Sequence, residues 1–286
     1  MSASHKTGGL FVRNLRNQWR LVLGAALICI PMLLPFWVML VTALMSSRSI
    51  TTAQPPLLPQ EWHWENFTRL FDTVPMGRYI LNSLFVSGIT TVVHVLFCAM
   101  AAFAFARLPM PRKNLIFFVF LITMMIPPQI NIVPLFFLMK WFGWLNTYYA
   151  LIVPGLFGAF GVFMLRQWFN TIPRDLEDAA RLDGCSPWQI FWNVFLPLST
   201  PALAALSIFV FITSWNSFMW PLISTYSESM RTLPVGLAAL KAGFTDNTDW
   251  PLLMAASAIS ILPVLAVFLI GQKQFMRGLL SGSLKE

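Results

Sequence analysis

Six long apolar windows without a charged residue dominate this sequence. Each is long enough for a helix to cross a hydrocarbon core about 30 Å thick. Inside a bilayer the backbone must satisfy its own hydrogen bonds, and a helix does so within one segment. We therefore predict an all-α membrane protein with six transmembrane helices. The windows are Leu21–Met45, Tyr79–Ala106, Leu115–Met139, Tyr148–Leu165, Pro201–Ile223 and Leu252–Gln272.

The charged residues, 10% of the chain, all lie between or beyond these windows. If both termini are cytoplasmic, 13 of the 19 Lys and Arg residues fall in cytoplasmic segments. Basic residues favour that side of a membrane, so this distribution predicts cytoplasmic N and C termini. It also accounts for the net charge of +8 without nucleic acid, and we expect no nucleic-acid partner.

The windows and charges divide the chain into four parts. Residues 1–20 form a polar cytoplasmic tail, and residues 21–78 form the first transmembrane helix and an outside loop. Residues 79–275 form the helical core, which contains a cytoplasmic loop at 171–199. Residues 276–286 form a cytoplasmic C-terminal tail.

Two windows contain polar residues that could line a transport pathway. Pro127 and Pro128 predict a kink or break in the third window, because proline removes a backbone donor and crowds the preceding turn. Broken backbone at membrane depth faces protein or a wet cavity, which makes Gln129 and Asn131 candidate pathway residues. The alternative is that these amides form hydrogen bonds to a neighbouring helix.

The fifth window contains an aromatic and polar patch, whose candidate pathway residues are Trp215, Asn216 and Ser217. Its other members are Thr213, Ser214 and Trp220. An aromatic face can cover the apolar side of a sugar ring while amides and hydroxyls pair with its hydroxyl groups. We interpret the patch as a candidate sugar contact. Packing between helices remains the alternative reading.

The loop at 171–199 is predicted to fold as two short helices joined by a tight bend. Thr171 and Pro173 mark a helix start, and Gly184 marks a stop in the left-handed conformation. Ser186 and Gln189 form a capping box that opens the second helix. The surface around the bend is small, apolar and acidic, which suits docking into a groove of another protein. An amphipathic connector lying on lipid is the alternative, although more Lys and Arg would be typical of it.

Several kinds of chemistry have no signature in the sequence. There is no GxxxxGK[ST] segment for nucleotide phosphates, and no HExxH, GxSxG or Cys and His cluster. We therefore expect that this chain is not an enzyme and has no catalytic residue, no metal site and no bound cofactor. The spans contain no acid, and their one base, His94, has no carboxylate near it in the sequence. This argues against an ion-coupled secondary transporter or channel, which is the alternative function.

The loop resembles the EAA loop of membrane subunits in ABC importers, whose pattern is EAA, three residues, G, nine residues, I-x-L-P. Here Asp178-Ala179-Ala180 precedes Gly184, and Val194-x-Leu196-Pro197 follows at the same spacing. Asp178 and Val194 stand where Glu and Ile are usual. The residues that this resemblance implies for contact with the ATPase are Glu177, Asp178, Ala179, Ala180, Asp183, Gly184 and Trp188.

The resemblance extends from Tyr79 to Glu286 and is to the smaller, six-span permease of maltose-type carbohydrate importers. It is carried by Asn82-Ser83, the IPPQINIVPLF run, Asn146-Thr147, Arg166-Gln167, Ser214-Trp215-Asn216 and the final GLLSGSLKE. It implies a type I importer permease fold in a bacterial inner membrane. Importers of disaccharides, oligosaccharides, glycosylated polyols and glycerol phosphate share these motifs.

The same resemblance implies an assembly with other subunits. These are a second permease subunit, two copies of an ABC ATPase that bind ATP and Mg, and an extracytoplasmic solute-binding protein. The loop would act as a coupling helix in a cleft of the ATPase. The outside loop Ser224–Trp250 would meet the solute-binding protein, and the tail Gly278–Glu286 would reach the ATPase dimer interface.

Overall fold

The computed structural model describes residues 7–47, 58, 61–242 and 248–283. Within those ranges the chain consists of helices and their connections, with no strand. Four helical stretches are long and apolar enough to cross a membrane, and they match four of the predicted windows. These stretches are Val22–Ala43, Met76–Arg107, Tyr148–Thr171 and Trp250–Gln272.

Two further pairs of helices have the composition of a span but bend sharply at a short break. Lys113–Met125 and Pro128–Trp141 meet at 89°, and Pro187–Leu198 and Thr200–Trp215 meet at 78°. The first break lies at the tandem prolines of the third window, where the sequence predicts one. Counting each pair as one span gives up to six in the described chain, in agreement with the predicted number.

In chain order, the α-helices are α1 (Thr7–Ala43), α2 (Glu65–Thr73), α3 (Met76–Arg107), α4 (Lys113–Ile122), α5 (Ile132–Trp141), α6 (Tyr148–Ile152), α7 (Ala159–Thr171), α8 (Arg174–Leu182), α9 (Pro187–Ile190), α10 (Leu196–Leu198), α11 (Thr200–Trp215), α12 (Met219–Ser224), α13 (Leu233–Ala242) and α14 (Trp250–Ser283). A π-helical turn, Phe191–Phe195, joins α9 to α10.

The fifth predicted span is interrupted. It forms α11 and α12, which three non-helical residues separate. Pro221, the third residue of α12, cannot donate to the carbonyl of Ser217 in a continuous helix, and its ring would crowd that carbonyl. The window Pro201–Ile223 is therefore two helices rather than one.

The ends of the chain also differ from the expected tails. Helix α1 begins at Thr7, so much of the predicted tail 1–20 is helical. Helix α14 continues through Ser283, which makes most of the predicted tail 276–286 helical as well. Residues 284–286 lie outside the described part of the chain, as do 243–247 of the outside loop.

The chain divides into two compact units, and the first comprises residues 1–73 and 244–259. In this unit the Asn66 amide donates to the carbonyls of Ala43 and Met45, both at 2.9 Å. Such carbonyls at a helix end have no partner within the helix. Arg69 forms an ion pair with Asp249. The Asn66 bonds tie α2 to the end of α1, and the ion pair ties α2 to the residue before α14.

The second unit comprises residues 74–243 and 260–286. Here α3 packs most extensively against α7 and α11. The α3–α7 contact is close, because a Cβ at Gly161 would lie 2.8 Å from the Cys98 sulfur. Small residues allow helices to approach in this way within a membrane. The core formed by these helices continues to the end of α3.

Candidate functional site

The first candidate region is the bent segment, residues Arg174–Leu198. Helix α8 begins after Pro173, and its first turn carries Asp175 and Glu177, where carboxylates interact favourably with the helix dipole. The predicted start at Pro173 is confirmed. Thr171 does not contribute to it, because its hydroxyl donates to the carbonyl of Trp168 at 2.7 Å, within α7.

The bend follows from a left-handed glycine. Gly184 has φ +80, as predicted. Its N–H donates to the carbonyl of Arg181 at 3.0 Å, and the N–H of Cys185 donates to the carbonyl of Ala180 at 2.9 Å. This pair of bonds is the Schellman arrangement, which satisfies the last carbonyls of α8. A side chain at this position would require a backbone conformation that L-residues disfavour.

The second helix of the bent segment opens with the predicted capping box. The N–H of Gln189 donates to Ser186 Oγ at 3.3 Å, and the N–H of Ser186 donates to Gln189 Oε1 at 2.8 Å. Helical structure then continues through the π-helical turn to Leu198. Residues of the bent segment itself therefore end its first helix and begin its second helix at the bend.

Six of the seven predicted partner-contacting residues have accessible surface on the bent segment. Asp178, Ala179, Asp183, Gly184 and Trp188 are exposed, and Ala180 is half-buried. Leu182, at the end of α8, is 90% exposed. The outer surface of the bend is thus acidic and apolar with small residues at its centre.

Glu177 is the exception among the seven. We predicted it to be a contact residue, but its side chain is buried, so it is not available at the outer surface. It forms ion pairs with Arg181 at 2.7 Å and with Arg107 of α3 at 3.7 Å. The burial follows from helix geometry, because neighbouring residues point about 100° apart and α3 lies against the Glu177 side.

The second candidate region is the clamped loop, residues Thr225–Thr232, which lies between α12 and α13. Asn82 of α3 donates to the carbonyls of Ser229 at 2.9 Å and Arg231 at 2.8 Å, and it accepts from the Tyr148 hydroxyl at 2.7 Å. Ser83 accepts from the N–H of Leu233 at 2.7 Å. Buried side chains of α3 therefore satisfy the loop's backbone directly.

Asn146 holds the opposite side of the clamped loop. Its Oδ1 accepts from the N–H of Tyr226 at 3.1 Å and from the N–H and hydroxyl of Ser227 at 3.0 and 2.9 Å. Asn146 itself has φ +60, a conformation that asparagine tolerates better than most residues. Tyr226 is left 77% exposed at the tip of the loop.

The two regions lie at opposite ends of one spanning helix. Asn82 is near the start of α3, and Arg107 is its last residue. The helix has 32 residues, which at 1.5 Å per residue makes it about 48 Å long. Since this exceeds the roughly 30 Å hydrocarbon core, the bent segment and the clamped loop lie at opposite ends of a helix long enough to cross the membrane.

A cavity of about 520 Å³ lies between these ends in the second unit. Hydroxyl and aromatic side chains contribute to its wall, a combination suited to a hydroxylated solute. Ser217 is the predicted pathway residue that lines it. The polar and aromatic members of the lining include Ser83, His94, Phe160, Phe209, Thr213, Ser214 and Trp220, and most of the remaining lining is apolar, including Val86, Leu135, Leu151 and Val210.

The other predicted pathway residues do not line this cavity. Trp215 is buried, and its indole N–H donates to the carbonyl of Ser260 at 3.0 Å, so it packs α11 against α14. Asn216 is exposed and follows the last residue of α11. Gln129 and Asn131 are exposed at the break of the third span. Trp215 therefore packs between helices, which was the alternative reading of the patch.

Sequence reasoning missed the role of Arg107, and it placed Trp220 in the patch without making it a pathway candidate. The indole N–H of Trp220 donates to the carbonyl of Ala150 at 2.8 Å while the ring lines the cavity. Arg107 was counted only as a cytoplasmic charge. Its position directly after a long apolar window was the available signal, because a charge there must find partners near the membrane surface.

A protein-family model matches most of this chain. The model of the binding-protein-dependent transport system inner membrane component matches residues 94–280. The arabinooligosaccharides transport system permease protein AraQ of Halalkalibacterium halodurans is 34% identical over 271 residues, covering 94% of this chain and 96% of that protein. The sn-glycerol-3-phosphate transport system permease protein UgpE of Yersinia pestis is 31% identical over 265 residues, covering 91% and 93%.

A solved structure has the same fold. A chain of a bacterial ABC transporter involved in the import of the acidic polysaccharide alginate aligns with a TM-score of 0.79 and 23% identity, covering 96% of this chain and all of that one. The predicted all-α type I permease fold and the resemblance to importer permeases are confirmed. This chain belongs to the family of binding-protein-dependent transport system inner membrane components, and it is a multi-pass inner membrane permease subunit of an ABC importer rather than an enzyme.

Proposed function

We propose that this chain forms half of the translocation pathway of an ATP-driven importer for a sugar or sugar-like polyol. A second permease subunit completes the pathway, and two copies of an ABC ATPase bind the ATP and Mg. A solute-binding protein delivers the solute from outside. The exposed, acidic surface of the bent segment, at one end of α3, is the observation that carries this proposal.

The bent segment is the docking element for the ATPase. Gly184 and Ala179 keep side chains small at the bend, so a groove in the partner can approach the backbone closely. Asp178 and Asp183 present carboxylates to basic groups of that partner, and Trp188 adds apolar surface. Docking of a short helix in a groove requires these features at one place.

The orientation follows from this assignment. If the bent segment faces the cytoplasm, the clamped loop faces outside. The Lys and Arg distribution supports this orientation, with both termini in the cytoplasm. Tyr226 then stands at the outside surface, where a solute-binding protein would arrive. A solved alginate ABC transporter with the same fold is in complex with a periplasmic protein bound to an alginate pentasaccharide (TM-score 0.62, 16% identity, covering 93% of this chain and 96% of that one).

The solute class rests on the relatives and on the cavity. The names of AraQ and UgpE specify arabinooligosaccharides and glycerol 3-phosphate, both rich in hydroxyl groups. The cavity wall offers hydroxyls from Thr213, Ser214 and Ser217 beside the ring of Trp220. These side chains are this subunit's share of the pathway. ATP binding favours the outward-open state through movement of the docked segment, and hydrolysis restores the inward-open state.

Uptake by the purified complex in proteoliposomes tests the proposal. We expect accumulation of the solute carried by the cognate binding protein to require ATP on the side of the ATPase and to persist with an ionophore. Vesicles that lack the ATPase should take up none. Uptake that collapses with the ionophore but not with ATP depletion would instead identify an ion-coupled transporter.

A further inference from the structure

Arg107 joins several elements through one guanidinium group. Its Nη2 donates to the carbonyls of Phe169 and Ile172, each at 2.5 Å. These carbonyls lie at the end of α7, where a cation is favourable, and the Phe169 carbonyl also accepts from the N–H of Ile172 at 3.2 Å. The guanidinium also lies over the ring of Phe195, 5.0 Å from its centre. The end of α3 is thus bonded to α7 and to the π-helical turn.

Glu177 provides the negative partner for this buried charge. The side chains of Glu177 and Arg107 are only 9% and 5% exposed, and their closest charged atoms are 3.7 Å apart. Removing one member of such a pair leaves the other charge buried without compensation. Arg181, which is half-exposed, forms the second ion pair of Glu177 from the same helix. The bond between α8 and α3 therefore depends on Arg107 rather than on Arg181.

Aromatic packing holds the second helix of the bent segment against the same end of α3. Phe103 contacts Phe191 and Phe195, with ring centres 5.4 and 4.9 Å apart, and Phe195 also contacts Phe169 at 5.4 Å. All four rings are buried. Close-packed groups of this kind transmit displacement because they leave no free volume. The first helix, α8, packs Ala180 against this core and is joined to α3 by the Arg107–Glu177 ion pair.

We propose that Arg107 and Glu177 are positioning residues that make α8 move as one body with the ends of α3 and α7. Movement of the docked ATPase then displaces the helices of the pathway rather than only bending α8. This inference rests on the proposed function of the bent segment. In this inference the outer surface of the bent segment binds the ATPase, and the buried Arg107–Glu177 pair transmits the movement to α3 and α7.

The test uses Glu177→Gln in the complete complex, because glutamine keeps the shape of the side chain and removes its charge. We expect the complex to retain its ATPase subunits, while ATP hydrolysed per solute transported rises about fivefold, a change typical of weakened coupling. Arg181→Gln is the matched control and should change this ratio less than about twofold, as for an exposed pair. Arg107→Lys should resemble Glu177→Gln, since an ammonium lacks the planar fork of the guanidinium.

A distance measurement provides a readout that lower stability alone would not change. Spin labels at Leu176 of α8 and Phe97 of α3, both exposed and outside the docking residues, should give one narrow distance with and without ATP in a background without the native cysteines. In Glu177→Gln the same distribution should broaden. Unchanged coupling and an unchanged distribution in Glu177→Gln would overturn the inference.

The outcomes also separate this inference from the proposed function. If Glu177→Gln loses its ATPase subunits, Glu177 acts in docking and the inference is wrong. If Gly184→Trp, at the outer surface, keeps its ATPase subunits and its stimulated hydrolysis, the assignment of the docking surface fails instead. Loss of docking in Gly184→Trp together with normal coupling in Glu177→Gln would contradict the inference alone.

Discussion

The bent segment and the clamped loop lie at the two ends of α3, and their shapes are determined in different ways. The bent segment contains its own helix stop at Gly184 and its own capping box at Ser186 and Gln189. The clamped loop has only a short 3-10 turn, Glu228–Met230, and its backbone is held by side chains from elsewhere in the chain. One region is shaped locally and the other by tertiary hydrogen bonds.

This difference has a functional consequence. An element that keeps its own shape can be displaced by a partner without unfolding, which suits a segment that receives movement. A loop fixed by buried hydrogen bonds keeps a constant position relative to α3, which suits a surface that must present Tyr226 to an arriving protein. Changes at the two ends should therefore fail in different ways.

The largest effect is expected for Gly184→Trp. The position has φ +80, and L-residues in the left-handed region lose about 1–2 kcal/mol. The indole would also project from the docking surface. We expect stimulated ATP hydrolysis by the complex to fall by at least about tenfold, since each 1.4 kcal/mol of lost docking energy is a tenfold change.

Gly143→Trp is the matched control for this change. Gly143 has φ +69, and like Gly184 it has open space where a Cβ would project, but it follows α5 rather than α8. Its backbone cost is similar, so membrane insertion should be affected equally in the two variants, while docking of the ATPase should be lost only in Gly184→Trp. Equal loss of stimulated hydrolysis in both would show that backbone strain, and not the docking surface, is responsible.

Asn82→Ala should have the next largest effect, at the clamped loop. It removes three hydrogen bonds, leaves the carbonyl of Arg231 without its partner at a cost of about 1–3 kcal/mol, and leaves the carbonyl of Ser229 with only the Arg78 guanidinium, at 3.2 Å. The loop should then open locally, and trypsin should cleave after Arg231 at least about tenfold faster. Tyr148→Phe removes one of the three bonds and should give a smaller acceleration. A cleavage rate equal to that of the wild type would refute the clamp.

Asp178→Asn should have the smallest effect. An exposed carboxylate that pairs with a partner contributes about 0.2–1 kcal/mol, and salt screens it. We expect the fraction of ATPase retained during gel filtration to fall roughly two- to fivefold at low salt, and less at high salt. Asp178→Glu keeps the charge and should behave as the wild type. The same loss in both variants, independent of salt, would exclude an ionic contact at this position.

Much of the bent segment was predictable because its signals are local. Gly184, Ser186 and Gln189 act on backbone groups within a few residues, so spacing alone identifies the bend. The spans were predictable because lipid excludes charge, and the break at Pro127 and Pro128 follows from the missing proline donors.

The directions of individual side chains were not predictable in the same way. Glu177 and Asp178 are neighbouring acids, and only the packing of α8 against Arg107 determines which one is buried. Trp215 and Asn216 are also neighbours, and the tertiary contact with Ser260 turns Trp215 inward and leaves Asn216 exposed. Which of two neighbouring side chains is buried depends on residues far away in the sequence. The spacing of residues along one helix carries no information about those contacts.

Site-specific photocrosslinking at Leu182 and Tyr226 in the assembled importer tests the central claim most directly. Both side chains are exposed, at opposite ends of α3, so a crosslinker at either position reaches what docks there. The account predicts that Leu182 crosslinks to the ATPase subunit and Tyr226 to the solute-binding protein. Crosslinks in the reverse pattern, or no ATPase product from Leu182 in a complex that hydrolyses ATP, would contradict it.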